Sequence, residues 1–135
     1  MKKLLASREI LLLVAIGVLL GIISLRFPAF VAPANLLVVF IDTSPLILLA
    51  IGQMIVILTK CIDLSVAANL ALTGMVVSLI NIAAPGLPVI FIVLIAIGFG
   101  TLLGMFNGIL VWKLAIPPIV VTLGTMTIFR GIIFL

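Results

Sequence analysis

From Leu64 to Trp112 the chain carries no charged residue, and the tract is interrupted only by Pro85-Gly86-Leu87-Pro88. An apolar helix needs about 20 residues to cross the hydrocarbon core of a bilayer, and this tract supplies two such lengths joined by a tight turn. A soluble fold of 135 residues has no interior able to hide it. The expected solvent is lipid.

Composition points the same way, with 67% hydrophobic and 7% charged residues and a mean hydropathy of +1.72. The absence of His removes the commonest general base and metal ligand, and a single cysteine, Cys61, forms no internal disulfide. No cofactor, metal site or catalytic residue is expected. The net charge of +4 does not indicate nucleic acid, because the seven Lys and Arg residues are scattered among apolar segments and form no basic face.

The expected fold is all-α, a polytopic membrane helix bundle of four full spans and a partial fifth. The spans are placed at 10–25, 45–60, 65–84, 89–112 and 119–135. Lys2, Lys3 and Arg8 precede the first, which Arg26 closes. Ala32-Pro33-Ala34 resembles a signal-peptidase site, but the apolar run is long for a signal peptide and Pro33 lies inside the supposed site, which favours a retained span. Asp42 and Pro45 interrupt the next apolar piece, so Pro45 is expected to kink a helix or to start one. A cytoplasmic N-terminus puts Lys2, Lys3, Arg8, Lys60 and Lys113 inside and Arg26 outside, obeying the positive-inside rule. Arg130 falls within or near the end of the fifth segment, where a cation needs water, a headgroup or a partner.

Gly100, Gly104 and Gly108 recur every four residues and so share one helical face, which predicts close helix packing centred on Gly104. Gly17 and Gly21 repeat the spacing more weakly. Between two apolar spans, Lys60-Cys61-Ile62-Asp63-Leu64-Ser65 has two readings: a turn in which Asp63 or Ser65 caps the third helix, or an irregular break lining an aqueous path. Ser65, Asn69 and Thr73 fall on one helical face and suit either contacts between helices or a polyhydroxylated solute. Asn107 and the hydroxyls of Thr122, Thr125 and Thr127 carry the same two readings, the threonines having also their own preceding carbonyls to bond.

Several of these residues stand in runs that resemble a family. Cys61-Ile62-Asp63-Leu64-Ser65-Val66 and Leu70-Ala71-Leu72-Thr73-Gly74 are followed by Asn107-Gly108 and Trp112-Lys113-Leu114. The unbroken run Ile116-Pro117-Pro118-Ile119-Val120-Val121-Thr122-Leu123-Gly124-Thr125-Met126-Thr127 then leads to Arg130-Gly131. Together these resemble the permease subunits of bacterial ABC importers for monosaccharides, among them the ribose, xylose, rhamnose and autoinducer-2 permeases, from about Asn35 to Leu135. The resemblance implies a multi-pass subunit of the bacterial inner membrane, surrounded by membrane lipid. It also implies three partners: a second permease copy or paralogue, a cytoplasmic ATP-binding subunit and a periplasmic sugar-binding protein.

It further suggests Asp63, Ser65, Asn69, Thr73, Asn107, Thr122 and Thr125 as candidates for the substrate pathway. Family members commonly have two glycines where this chain has Lys60-Cys61, and Gly-Ser where it has Ala67-Ala68; both changes remove backbone freedom. These departures favour a rhamnose-like six-carbon deoxy sugar over a ribose-like one. Because family members continue through further spans and an ATPase-docking loop, residues 1–135 are read as the N-terminal part of the permease domain. Two other classes remain open: a secondary transporter or channel using Asp63 as a proton or cation site, and an intramembrane aspartyl protease using Asp42 and Asp63. The charge count sets the two carboxylates on opposite sides, against the protease.

Overall fold

The computed structural model describes residues 8–135. Lys2 and Lys3, counted above toward the inner positive charge, lie outside the described residues. Five α-helices follow one another: α1 (Arg8–Arg26), α2 (Pro33–Leu58), α3 (Val66–Ala83), α4 (Val89–Leu114) and α5 (Pro118–Ile133), with one 3-10 turn, Pro28–Val31, between α1 and α2. There is no strand among the described residues. The first four helices are long and apolar enough to cross a membrane. At 16 residues α5 spans roughly 24 Å, short of a full crossing.

Pro45 neither starts nor ends a helix: α2 runs through it. The expected start at 45 is therefore corrected to Pro33, and local chemistry explains why. A proline at 45 cannot donate to the carbonyl of Ile41 four residues back. The hydroxyl of Ser44 donates to that carbonyl instead, at 2.7 Å, and Thr43 Oγ1 donates to Val39 O at 2.6 Å. Hydroxyls next to a membrane proline can in this way supply the bond that the ring removes.

The chain divides into two compact units, Met1–Leu48 and Leu49–Leu135. In the first, α1 and the 3-10 turn are in contact, and none of the described residues of α1 is buried. In the second, α3, α4 and α5 pack against one another. Their small core is Ala68 and Leu72 of α3 with Phe129 of α5, and Val76, Phe99, Leu103 and Met126 pack around it. The remaining circumference is apolar and exposed: Phe91, Leu94, Ile97, Leu102, Phe106 and Trp112 all face outward from α4. In water that distribution would be untenable, but lipid solvates such a surface and leaves polar bonds and small residues to hold helices together.

The apolar tract turns where expected. Ala84 to Pro88 separate α3 from α4, and Leu87 N–H donates to Ala84 O at 3.0 Å to close the turn. The other end of α4 stops at Ala115, whose φ of 51° lies in the left-handed region, and Pro117-Pro118 then begin α5 with Pro118 in its first turn.

Candidate functional site

The interruption between α2 and α3 is built by a helix ending and an acidic turn. Cys61 N–H donates to Val56 O at 3.3 Å and Lys60 N–H to Ile57 O at 2.9 Å. This nested pair is a Schellman closure, and Lys60, with φ 60°, fills the position where glycine is favoured. The backbone is then irregular from Cys61 to Ser65. Asp63 Oδ1 accepts the backbone N–H of Ser65 at 2.8 Å and the hydroxyl of Ser65 at 2.7 Å. Asp63 thus caps the entry to α3 through an Asx-turn, whereas the Ser65 side chain makes no cap bond. The two readings of the segment are not exclusive, since it is both a capped turn and a non-helical break.

Ser65 is 1% exposed and Asn107, from the C-terminal third of α4, is 5% exposed; Asn107 Nδ2 donates to Ser65 Oγ at 2.8 Å. The carboxylate at Asp63 sets the direction of this chain of bonds. A carboxylate offers only acceptors, so the single Ser65 hydroxyl hydrogen goes to Asp63. Ser65 Oγ must then accept, and Asn107 must turn its NH₂ toward it. The consequence is an orphan: Asn107 Oδ1 is buried and has no hydrogen-bond partner. Gln53 Oε1 on α2 is buried without a partner as well.

Further along the same face of α3, Asn69 Nδ2 donates to Gly100 O on α4 at 3.2 Å, and Thr73 Oγ1 donates to Asn69 Oδ1 at 3.1 Å. From α5, Thr122 Oγ1 donates to the carbonyl of Ile62 in the break at 3.3 Å. Ser65, Asn69 and Thr122 therefore join elements, the helix-contact role foreseen for such polar residues. In membrane proteins such bonds are worth about 0.6 kcal/mol each on average. Thr125 is buried and donates within α5 to Val121 O at 3.1 Å and Thr122 O at 3.3 Å, while Thr127 is exposed and bonds Gly124 O.

The glycine face behaves differently along its length. A Cβ at Gly100 would lie 3.5 Å from Thr73 Oγ1, whereas at Gly104 and Gly108 it would meet nothing within 4 Å. Of the three, Gly100 meets another helix among the described residues, at ordinary van der Waals distance and where Asn69 bonds its carbonyl, while the expected packing at Gly104 finds no neighbour there. Gly17 and Gly21 of α1 likewise meet nothing within 4 Å.

Gly104 and Gly108 instead line a cavity of about 310 Å³, together with Asp63, Asn107, Thr122 and the neighbouring Thr59 and Cys61. Three of the seven pathway candidates meet there. Asn69, Thr73 and Gly100 border a second, smaller cavity of about 230 Å³, and Ser65 and Thr125 line neither. Thr59, Cys61 and Gln53 were not singled out from the sequence as pathway residues. For the first two the signal was present, since both are polar or polarizable residues next to the Ile-Asp-Leu-Ser break; an isolated glutamine in an apolar span gives no such positional cue.

Residues 35–135 match the family model described as branched-chain amino acid transport system / permease component. The chain is 40% identical over its full length to the autoinducer 2 import system permease protein LsrC of Enterobacter sp. (strain 638), of which it covers 39%. It is 38% identical, over 88% of its length, to the ribose import permease protein RbsC of Haemophilus influenzae, covering 36% of that protein. A second LsrC, from Photorhabdus luminescens, is 37% identical over 96% of the chain and is covered to 38%. The chain thus spans well under half the length of these relatives. No solved structure matches it.

Proposed function

Because the chain belongs to the family of ABC-importer permease components, the one whose model matches residues 35–135, we propose that it serves as the permease part of an ATP-driven importer carrying a ribose- or rhamnose-like monosaccharide across the bacterial inner membrane. The observation that carries this reading is the match of the whole chain to a protein named as an import permease, with a second match to a ribose import permease. Four helices able to cross a membrane agree with a multi-pass protein. The partners in this reading are a second permease copy or paralogue, a cytoplasmic ATP-binding subunit and a periplasmic sugar-binding protein.

The chain itself would perform no covalent chemistry. ATP binding and hydrolysis on the partner would shift the permease between outward- and inward-facing states, each of which presents the sugar route to one side. The break at Asp63 is the element suited to the route, because irregular backbone and a carboxylate persist at membrane depth only where protein or water surrounds them. Around it, Asn107 and Thr122 would contact the solute in the larger cavity, with Asn69 and Thr73 at the smaller one. Ser65 and Thr125 would set the positions of these groups.

Deletion of the gene in its own host, followed by uptake of radiolabelled D-ribose and L-rhamnose, tests the proposal. Uptake of one of these sugars is expected to fall and to return on complementation. It is also expected to survive a protonophore while cellular ATP is held constant. Uptake that collapses with the protonophore at constant ATP would instead assign a secondary transporter, and unchanged uptake of both sugars would refute the sugar-importer reading.

A further inference from the structure

In the cavity beside Asp63, most side-chain hydrogens able to donate are already committed, the second hydrogen of the Asn107 amide being the exception. Thr59 Oγ1 donates to Val56 O at 2.6 Å, Thr122 Oγ1 to Ile62 O at 3.3 Å, and Asn107 Nδ2 to Ser65 Oγ at 2.8 Å. The acceptors are not. Asp63 Oδ2 takes no hydrogen bond from the described residues, since both bonds to the carboxylate fall on Oδ1. Asn107 Oδ1 is buried and unpartnered, and each threonine oxygen keeps free lone pairs. The floor beneath them is smooth because Gly104 and Gly108 carry no side chain, and nothing would touch a Cβ there within 4 Å. A volume of about 310 Å³ holds a molecule much larger than water.

We infer that this cavity is a binding site for the hydroxyl groups of a monosaccharide, recognised as hydrogen-bond donors, with Asp63 Oδ2 as the principal acceptor. The inference rests on the importer reading for its choice of ligand and adds to it the site and the polarity of recognition. A buried acceptor without a partner is costly to leave unmade, and a ligand hydroxyl can relieve it. A bond to the carboxylate is charge-assisted and therefore the strongest of the set. Sugars whose hydroxyls are methylated can only accept, so they leave every acceptor in the cavity unpaired. A site of this kind discriminates far more sharply against a missing hydroxyl hydrogen than an apolar pocket discriminates against a missing methyl.

Cys61 is the sole cysteine of the chain and lines the cavity, which makes its alkylation a direct readout of occupancy. The measurement is the rate of N-ethylmaleimide addition to Cys61 in the chain reconstituted in lipid nanodiscs, followed by mass spectrometry. D-ribose and L-rhamnose are the probes, their per-O-methylated forms the controls, and sodium and potassium the competing cations. At least one free sugar is expected to slow alkylation saturably while its methylated form does not. Asp63→Asn is expected to raise the half-protecting concentration about tenfold or more, as removal of a charge-assisted bond implies. Protection is scored against each protein's own sugar-free rate, and a circular dichroism melt of the variant matching wild type shows that the fold has stayed intact.

Indifference of Cys61 to both sugars would overturn the inference, as would equal protection by the methylated forms. Protection by sodium or potassium alone would assign a cation site in its place. Sugar uptake that depends on the gene, combined with no protection of Cys61, would remove this site and leave the importer reading standing. Protection of Cys61 without gene-dependent uptake would do the reverse.

Discussion

Lys60 holds a backbone conformation that L-residues adopt at a cost of about 1–2 kcal/mol, because its Cβ crowds the following carbonyl. The family resemblance places two glycines here, and the structure shows the reason, since Lys60 closes the Schellman turn at the end of α2. Replacing it by glycine removes the clash but adds chain entropy to the unfolded state, a penalty of about 0.5–1 kcal/mol. Lys60→Gly is therefore expected to stabilise the protein by about 0.5–1 kcal/mol in thermal unfolding in detergent. Lys60→Ala, which keeps the Cβ, should give no such gain. A gain from alanine equal to that from glycine would trace the effect to the lysine charge.

The helices show which parts of the fold were legible in the sequence. Apolar length and the Pro85 to Pro88 turn located α3 and α4, because lipid solvation requires long uncharged runs. Of the two readings at Pro45, a kink or a start, the start gives way because α2 runs through the proline, where a neighbouring hydroxyl restores the lost bond. Ser44→Ala is expected to destabilise α2 by about 0.5–1.5 kcal/mol in the wild-type background and to be nearly silent beside Pro45→Ala. Equal effects in the two backgrounds would separate the serine from the proline. The glycine face was also legible as a face, but spacing does not say what stands opposite each member. Gly100→Leu is expected to destabilise the α3–α4 contact by about 1–3 kcal/mol, and Gly104→Leu to spare stability while filling the cavity. Circular dichroism melts of the two variants report the first effect and Cys61 alkylation the second. The candidate site was readable at Asp63, Asn107 and Thr122; what remained hidden was the chain of bonds, because its direction depends on Ser65 lying between two elements distant in sequence.

At the scale of the whole molecule, the distribution of basic residues and the family membership combine into one proposal of topology and transport. Arg8, Lys60 and Lys113 on one side of the membrane, with Arg26 and the Gly86 turn on the other, satisfy the positive-inside rule. With Cys61 replaced by serine, a cysteine introduced at Gly86 is expected to react with membrane-impermeant maleimide supplied from the periplasmic side; reaction only from the cytoplasmic side would invert the topology. The central claim is that the break at Asp63 lies on the route of the imported sugar. Asparagine caps a helix about as well as aspartate, so a purely structural role predicts an unaltered protein. The most direct test is uptake of the labelled sugar by the native host carrying Asp63→Asn on its chromosome, with the protein quantified in the same membranes. We expect uptake to fall about tenfold or more at near wild-type abundance, as loss of a charge-assisted contact implies. Wild-type uptake by that strain would contradict the account and leave Asp63 as a cap alone.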